Sequence, residues 1–126
     1  MAEWVVRAGE AAPEKLVQGY DEHRLVPGLF GFSVQYEPGK SVDELARAGR
    51  FLNAKISFAY DSDLAASLLP LGYSMRLLKT PGSGYHVTFV VLYDATGQML
   101  EALPDDAARA ISAAFQRKKN PFRATR

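Results

Sequence analysis

Two stretches of the sequence, residues 29–36 and 85–93, alternate large apolar side chains with polar or smaller ones. Side chains of an extended chain point alternately to opposite faces, so this period of two predicts two β-strands. A parallel partner strand needs a crossover of about a dozen residues, and the spacers in this chain are too short and irregular for a doubly wound sheet. The sequence therefore predicts the α+β class, with a small mixed, largely antiparallel sheet and short helices.

Turn and capping residues divide the rest of the chain into further short elements. Ser41 followed by Glu44 forms a capping box, and Gly49 is predicted to end that helix in the left-handed conformation. Residues 21–28 are polar and end in Pro-Gly, which predicts a loop. Further strands are predicted at residues 4–7, 54–60, 73–79 and 98–103, and further helices at residues 11–20, 61–69 and 105–115.

Length and charge limit the organisation of the chain. A chain of 126 residues can bury one hydrophobic core, so residues 1–126 are predicted to form a single domain. The net charge of +1 gives no general attraction to nucleic acid or membranes. Basic side chains crowd residues 117–126, which we predict to be a solvated, frayed tail; a phosphate-binding tail is the alternative.

The composition also indicates a compartment. The absence of cysteine excludes disulfides, thiolate zinc sites and cysteine nucleophiles. We expect no signal peptide, because the first residues lack a basic region followed by an apolar run, and no stretch approaches the roughly 20 apolar residues of a membrane span. The chain is therefore expected in the cytoplasm, or in a target cell's cytoplasm as a piece of a larger exported protein.

Several classes of catalytic site lack support in the sequence. His23 and His86 are the only histidines, and no carboxylate cluster flanks either, so no metal site is predicted. No glycine-rich loop ends in the lysine of a nucleotide-triphosphate site. Ser33 lies inside a strand rather than on a nucleophile elbow, which argues against a serine–histidine–acid triad. The acidic residues stand mostly at helix starts, where they act as caps rather than as a glycosidase pair.

Arg7 is a candidate binding residue. It follows a short apolar strand and precedes Ala-Gly, so it is expected at the edge of the sheet, where a guanidinium suits a phosphate or a ribose diol. An ion pair with Glu10 or Glu14 is the alternative.

The strand at residues 29–36 carries further candidates. Ser33 and Gln35 share a face that either lines a site or meets solvent. Gly31 leaves the strand thin, so that a ligand or another backbone can approach closely.

A second group of candidates follows the glycine-rich turn at residues 81–84. His86 and Thr88 share one face of a long strand, and an imidazole beside Tyr85 and Thr88 can carry protons near neutral pH. A structural role for His86 is the alternative. Asn53 precedes a strand and either binds a ligand or caps the chain.

Several segments together resemble a group of bacterial toxin domains found at the C-termini of Rhs and contact-dependent inhibition proteins, the TreTu-type ADP-ribosyltransferases. The segments are residues 5–9, 31–35, 38–45, Asn53 with 56–57, 84–88 and 120–121. The resemblance spans nearly the whole chain in the same order. It implies an ADP-ribosyltransferase-like fold that uses NAD as a substrate and no metal.

The resemblance also implies roles for individual residues. Arg7 resembles the first-strand arginine that holds the dinucleotide, and Ser33 the serine of the second motif strand. The implied NAD-binding residues are Arg7, Gly9, Ser33, Gln35, Asn53 and Tyr85, and the implied catalytic residues are Ser33, His86 and Thr88. Such transferases place a glutamate on a later strand, where this chain has His86 and Thr88. Glu101 could replace it only from a strand at residues 98–103.

The expected activity is transfer of ADP-ribose from NAD to a protein, such as a translation factor, or to an RNA. A cognate immunity protein is an expected partner, and a membrane is not. Two alternatives stay open. One is a metal-independent ribonuclease toxin that uses Arg7, His86 and Thr88, and the other is a binding relative without catalytic activity.

Overall fold

A computed structural model describes residues 2–124 of the chain. The strands are β1 (Trp4–Ala8), β2 (Asp21–Glu22), β3 (Phe30–Tyr36), β4 (Lys55–Tyr60), β5 (Tyr73–Lys79), β6 (His86–Tyr93) and β7 (Gln116–Lys119). The helices are α1 (Pro13–Gly19), α2 (Val42–Gly49), α3 (Asp61–Leu68) and α4 (Asp105–Ala114), with a 3₁₀ turn at Leu69–Leu71 after α3.

The strands form one sheet in the order β5-β6-β3-β1-β4-β7, and the short β2 pairs with the start of β3. Each ladder between neighbouring strands is antiparallel within the described residues. The predicted α+β class with a largely antiparallel sheet is therefore confirmed. None of the helices in the described part of the chain is long and apolar enough to span a membrane.

Apolar side chains pack against both faces of this sheet. On one face, α1, α3 and α4 cover a core that includes the stacked rings of Phe32 and Phe89, whose centroids lie 4.6 Å apart. On the other face, α2 packs Leu45 onto Val6 and Ile56. Full burial of one such side chain contributes about 1.5–3 kcal/mol, so these contacts hold the helices on the sheet.

The segment at residues 98–103, predicted as a strand, forms only an isolated bridge between Leu92 and Met99. Strand β6 is paired along one edge with β5 and over His86–Phe89 with β3, so only its last residues are free on the second edge. The Tyr20 hydroxyl contacts the amide of Val91 and the carbonyl of Leu100, which holds the segment without a ladder. The predicted strand at residues 98–103 was wrong, because β3 already pairs with His86–Phe89 and leaves too little of that edge of β6 for a full ladder.

Tyr20→Phe is expected to reduce the free energy of unfolding by about 1–3 kcal/mol, because a buried amide and a buried carbonyl lose their partner. The hydroxyl accepts from Val91 N at 3.0 Å and donates to Leu100 O at 2.9 Å. Urea unfolding measures the change. The control is Tyr93→Phe, on the exposed surface, with an expected change below about 0.5 kcal/mol. Equal stability of the two variants would contradict the prediction.

The chain beyond α4 is not the frayed tail that its charge predicted. Gln116–Lys119 pairs with β4 as an edge strand, and the lysines of that strand discourage further pairing. The Asn120 side chain donates to the carbonyl of Asn53 at 3.0 Å, and Arg123 Nε donates to the carbonyl of Leu52 at 2.8 Å. The prediction missed this strand because its four polar residues show no apolar alternation. The last two residues of the predicted tail lie outside the described part.

Arg117 joins three parts of the fold. Its guanidinium donates to the carbonyls of Glu10 and Ala11 in the β1–α1 loop, at 2.8 and 3.3 Å. It also donates to the carbonyls of Ser112 and Phe115 at the end of α4, at 2.9 and 2.6 Å. The loop includes Ala11 with φ of 48°, a strained value for a residue with a Cβ. Arg117 therefore holds a strained loop in place.

Arg117→Met is expected to lower the free energy of unfolding by about 2 kcal/mol, because several carbonyls lose a charged donor at once. The control is Arg109→Met, which removes only an exposed helix ion pair with Asp105, worth up to about 0.5 kcal/mol. Urea unfolding of both variants provides the comparison. If the two losses agree, the contacts of Arg117 do not stabilise the fold.

Two smaller predictions also changed. Arg50, with φ of 53°, rather than Gly49, takes the left-handed position after α2. Part of the predicted loop at residues 21–28 is strand β2. The capping box of Ser41 and Glu44 is present as predicted, and it holds the pKa of the Glu44 carboxyl below its usual range through the hydrogen bonds to Ser41.

Candidate functional site

Strands β1 and β3 part after two paired positions, Val5 with Tyr36 and Val6 with Gln35. Strand β1 nevertheless stays paired with β4 as far as Ala8. The side chain of Arg7 fills the opening. Its Nη1 donates to the carbonyl of Ser33 at 2.7 Å, and its guanidinium carbon lies 4.9 Å from the centre of the Phe32 ring. The guanidinium thus replaces the missing ladder contact with β3.

Arg7 is half-buried, and no described carboxylate lies within ion-pair distance of it. Burial lowers the pKa of its guanidinium to about 10, so the group stays charged at neutral pH. The predicted alternative, an ion pair with Glu10 or Glu14, is absent, and Glu10 instead contacts Lys55 at 3.1 Å. A half-buried cation without a counter-ion is suited to an anionic ligand, because such a ligand would supply the missing charge.

A chain of side-chain hydrogen bonds begins next to Arg7 and crosses from β3 to β6. Ser33 Oγ lies 2.9 Å from Nε2 of His86, and Nδ1 of His86 lies 2.9 Å from Oγ1 of Thr80. Thr80 Oγ1 also lies 2.8 Å from Oγ1 of the buried Thr88. The carbonyl of Thr80, 3.3 Å from Nδ1, only accepts hydrogen bonds, which assigns the ring proton to Nδ1. Nε2 of His86 is then the acceptor of the Ser33 hydroxyl.

The register of the sheet produces this chain. Ser33 faces Thr88 and Gln35 faces His86 across the β3–β6 ladder, so the four side chains share one face. Thr80, at the end of β5, completes it. The sequence analysis did not predict a role for Thr80, because its contact with the His86 ring depends on how the turn between β5 and β6 folds.

Gln35 positions this turn with both ends of its amide. Its Nε2 donates to the carbonyl of Ser83 at 2.9 Å, and its Oε1 accepts from the amide of Tyr85 at 2.7 Å. Both groups are therefore engaged by the backbone. Tyr85 contributes its main chain to this arrangement, and its ring packs against the α2 side of the sheet.

Arg7, Ser33 and His86 line one cavity of about 290 Å³, which we call the Arg7 cleft. Its other walls include Gln35, Phe51 and Ser83. The structure thus brings together three candidates from three distant strands. Among described residues, no carboxylate lines this cleft.

A larger cavity of about 610 Å³ adjoins the cleft at Arg7 and Ala8, and we call it the Asn53 groove. Gly9 and the exposed Asn53 line it. Gly9 has φ of 80° and donates its amide to the carbonyl of Lys55 at 2.9 Å, so a positive φ is needed at this bend. Five of the six predicted binding residues are therefore divided between two adjoining cavities, and Tyr85 lines neither of them.

A third cavity, of about 430 Å³, shares only Ser33 and His86 with the Arg7 cleft, and we call it the His23 cavity. Thr88, Asp21, Glu22, His23 and Arg24 also line it. The rings of His23 and His86 have centroids 6.1 Å apart. No role was predicted for His23, because its position depends on how the chain between β2 and β3 folds back over the sheet.

Two further sequence predictions concern the walls of the site. Glu101 is exposed in the segment before α4 and lines none of the three cavities, so it does not supply the expected carboxylate. The sequence predicted that either a ligand or another backbone approaches Gly31 closely, and the structure shows a backbone there. A Cβ at this position would collide with the Phe89 carbonyl of β6 and with Thr88.

In the part of the chain that the structure describes, no group of three or more His, Asp or Glu side chains is arranged to hold a metal ion. Comparison with protein-family models, with curated proteins and with solved structures gave no match to this chain. The chemistry of the site is therefore argued from its own residues.

Proposed function

We propose that this chain is an ADP-ribosyltransferase-like protein that cleaves NAD and transfers its ADP-ribose to a macromolecular acceptor. One observation carries the proposal: the half-buried guanidinium of Arg7, which has no counter-ion among the described residues, lies in the same cleft as the hydrogen-bonded pair of Ser33 and His86. This places an anion-binding group beside a proton acceptor. Transfer from a dinucleotide uses both, because the pyrophosphate is anionic and the acceptor atom loses a proton when it bonds to the ribose.

The cavities are of the right size and order for such a ligand. The pyrophosphate is assigned to Arg7, where the cleft and the groove meet. The nicotinamide ribose then lies over Ser33 and His86, and the adenosine half extends into the Asn53 groove. Ligand cavities of about 300–1,000 Å³ are usual for cofactors, and the two cavities together fall within that range.

The reaction breaks the bond between the ribose C1′ and the nicotinamide nitrogen, and the bonding electrons leave with nicotinamide. An acceptor atom forms the new bond to C1′ and loses a proton. Because the Arg7 cleft lacks a carboxylate, we assign the removal of this proton to Ser33 and His86, with the proton ending on Nε2 of His86. Thr80 holds the ring in the tautomer that this step requires.

The test uses NAD labelled in its adenylate phosphate, incubated with the purified chain and a bacterial lysate. We expect release of nicotinamide and label on a macromolecule, and protease or ribonuclease treatment then identifies the acceptor as protein or RNA. A heat-denatured sample is the control. If NAD stays intact and does not raise the melting temperature of the chain, the proposal is wrong. Expression in bacteria tests the proposed toxicity, and an immunity protein is sought only if it is toxic.

A second candidate is a metal-independent ribonuclease, favoured by the two imidazoles that line the His23 cavity. A pair of imidazoles can act as base and acid in cleavage at a ribose 2′-hydroxyl. Asp21 and Glu22 in the same cavity oppose a phosphate, which places this reading second. RNA shortening in the presence of EDTA and without NAD would support the ribonuclease. RNA that stays at full length under those conditions would exclude it. If neither NAD nor RNA is consumed, the open alternative of a non-catalytic binding protein stands.

A further inference from the structure

We propose that the His23 cavity is the acceptor subsite and that it takes a hydroxyl group of a polypeptide side chain. This inference rests on the proposed function, because it names the second substrate of the same reaction. His23 is assigned here as the residue that binds the acceptor oxygen.

The arrangement of the cavities gives the first argument. The Arg7 cleft and the His23 cavity have different walls and meet only at Ser33 and His86. A ribose carbon placed over this pair is therefore reached from the Arg7 side by the dinucleotide and from the His23 side by another molecule. A transfer reaction needs two such approaches to one reacting atom.

The two imidazoles carry their protons on different nitrogens. Nδ1 of His23 accepts from the amides of Leu25 at 3.1 Å and Val26 at 3.0 Å, which assigns the ring proton of His23 to Nε2. In His86, by contrast, the contact of Nδ1 with the Thr80 carbonyl assigns the proton to Nδ1, which leaves Nε2 to accept from Ser33. The cavity thus offers a donor from His23 and, through Ser33, an acceptor from His86.

This complement selects the chemistry of the acceptor. A hydroxyl oxygen both accepts a hydrogen bond, from His23 Nε2, and donates its own proton, to Ser33 Oγ. A guanidinium or an ammonium offers only donors, and a carboxylate offers only acceptors, so neither satisfies both contacts. The two imidazoles that supply this complement line the same cavity, with ring centroids 6.1 Å apart.

The charges of the cavity favour a polypeptide over RNA. Asp21 and Glu22 line it with two negative charges against the single positive charge of Arg24. One oxygen of the Asp21 carboxylate accepts from the amide of Glu22, and one oxygen of the Glu22 carboxylate accepts from the amide of Gly28. The second oxygen of each carboxylate takes no part in these bonds. A phosphate of an RNA backbone would meet a net negative wall, whereas a serine or threonine hydroxyl carries no charge.

The proton transfer balances without a further reagent. The acceptor oxygen bonds to C1′ as the bond to nicotinamide breaks, and nicotinamide leaves with the electron pair. The acceptor proton passes to Ser33 Oγ while the Ser33 proton passes to Nε2 of His86. His86 then releases the proton to solvent.

The experiment uses the whole chain with NAD and three acceptor probes: N-acetylserinamide, agmatine and a short RNA. The key variant is His23→Asn, whose side-chain oxygen can still accept from Leu25 and Val26 but which lacks the Nε2 donor. We expect adducts on N-acetylserinamide in preference to the other two. We also expect the ratio of this adduct to free ADP-ribose to fall by roughly three- to tenfold in His23→Asn, the effect of one hydrogen bond.

The outcomes separate this inference from the proposed function. No nicotinamide release by the unaltered chain overturns both. Nicotinamide release with an unchanged adduct ratio in His23→Asn overturns the role of His23 alone. A preference for agmatine overturns the assignment of a hydroxyl as the acceptor group. A preference for RNA overturns the assignment of a polypeptide as the acceptor molecule. Circular dichroism and the melting temperature establish whether His23→Asn is folded. The ratio of adduct to free ADP-ribose is the chosen readout, because a merely structural role of His23 would not change the partition between transfer and hydrolysis.

Discussion

His86→Gln is expected to reduce the rate of the proposed ADP-ribose transfer by about 100-fold or more, because an amide cannot take up the acceptor proton. The Gln side chain can still reach Ser33 Oγ, 2.9 Å from Nε2 in the native chain, so the variant removes proton transfer more than it removes contact. Single-turnover formation of the ADP-ribose adduct on N-acetylserinamide, with saturating NAD, measures the rate. Binding of NAD is measured separately by calorimetry.

Thr80→Val is the matched variant for the orientation of the ring. It removes the Oγ1 that contacts Nδ1 of His86 at 2.9 Å and also the contact with Thr88. The Thr80 carbonyl remains, so we expect kcat to fall by roughly tenfold with little change in KM. Wild-type rates in His86→Gln would exclude the imidazole as the proton acceptor. A change of KM alone in Thr80→Val would exclude Thr80 as a positioning residue.

Arg7→Met is expected to weaken NAD binding by about 10- to 100-fold, because charged hydrogen bonds to a pyrophosphate contribute about 1.5–3 kcal/mol. We expect the same change to leave the melting temperature nearly unchanged, because the lost hydrogen bond to the Ser33 carbonyl and the relieved burial of the charge oppose each other. Folding lowers the pKa of Arg7 to about 10, so its charged form opposes folding at every pH below that value. This penalty is relieved only as the pH rises through 10, and a neutral side chain removes it at neutral pH.

Calorimetric titration with NAD and thermal unfolding test both parts of this prediction. Arg109→Met is the control, since Arg109 lies on the exposed face of α4 in an ion pair with Asp105. The affinity of Arg109→Met for NAD is expected to match that of the unaltered chain. Unchanged affinity in Arg7→Met would remove the observation on which the proposed function depends. A large loss of stability would instead make Arg7 a structural residue that holds β3 through Ser33.

Much of the fold could be predicted from local patterns. Strand β3 was predicted because apolar side chains alternate along it, and α2 because Ser41 and Glu44 cap its start. The prediction failed where pairing rather than pattern decides. Gln116–Lys119 has no apolar alternation and becomes a strand because β4 offers it a free edge. Residues 98–103 have a suitable composition but form only the isolated bridge from Met99 to Leu92, because β3 already pairs with the first half of that edge of β6.

The candidate site shows the same division. Arg7, Ser33 and His86 were each predicted from the local chain, and the sheet register places them in one cleft. His23 and Thr80 were missed because their roles depend on contacts with His86 across turns. Gln35, also a predicted binding residue, lines the Arg7 cleft, and its amide holds the turn between β5 and β6.

The sequence by itself determined the α+β class, most strand and helix positions, and the side chains available for chemistry. These follow from periodicity, capping and residue type, which act over a few neighbouring residues. Only the tertiary structure decided that β1 and β3 part after Val6, that Arg7 has no counter-ion among the described residues, and that the two imidazole rings lie with their centroids 6.1 Å apart. Such features depend on contacts between residues far apart in the chain, and no local pattern encodes which distant side chains come together.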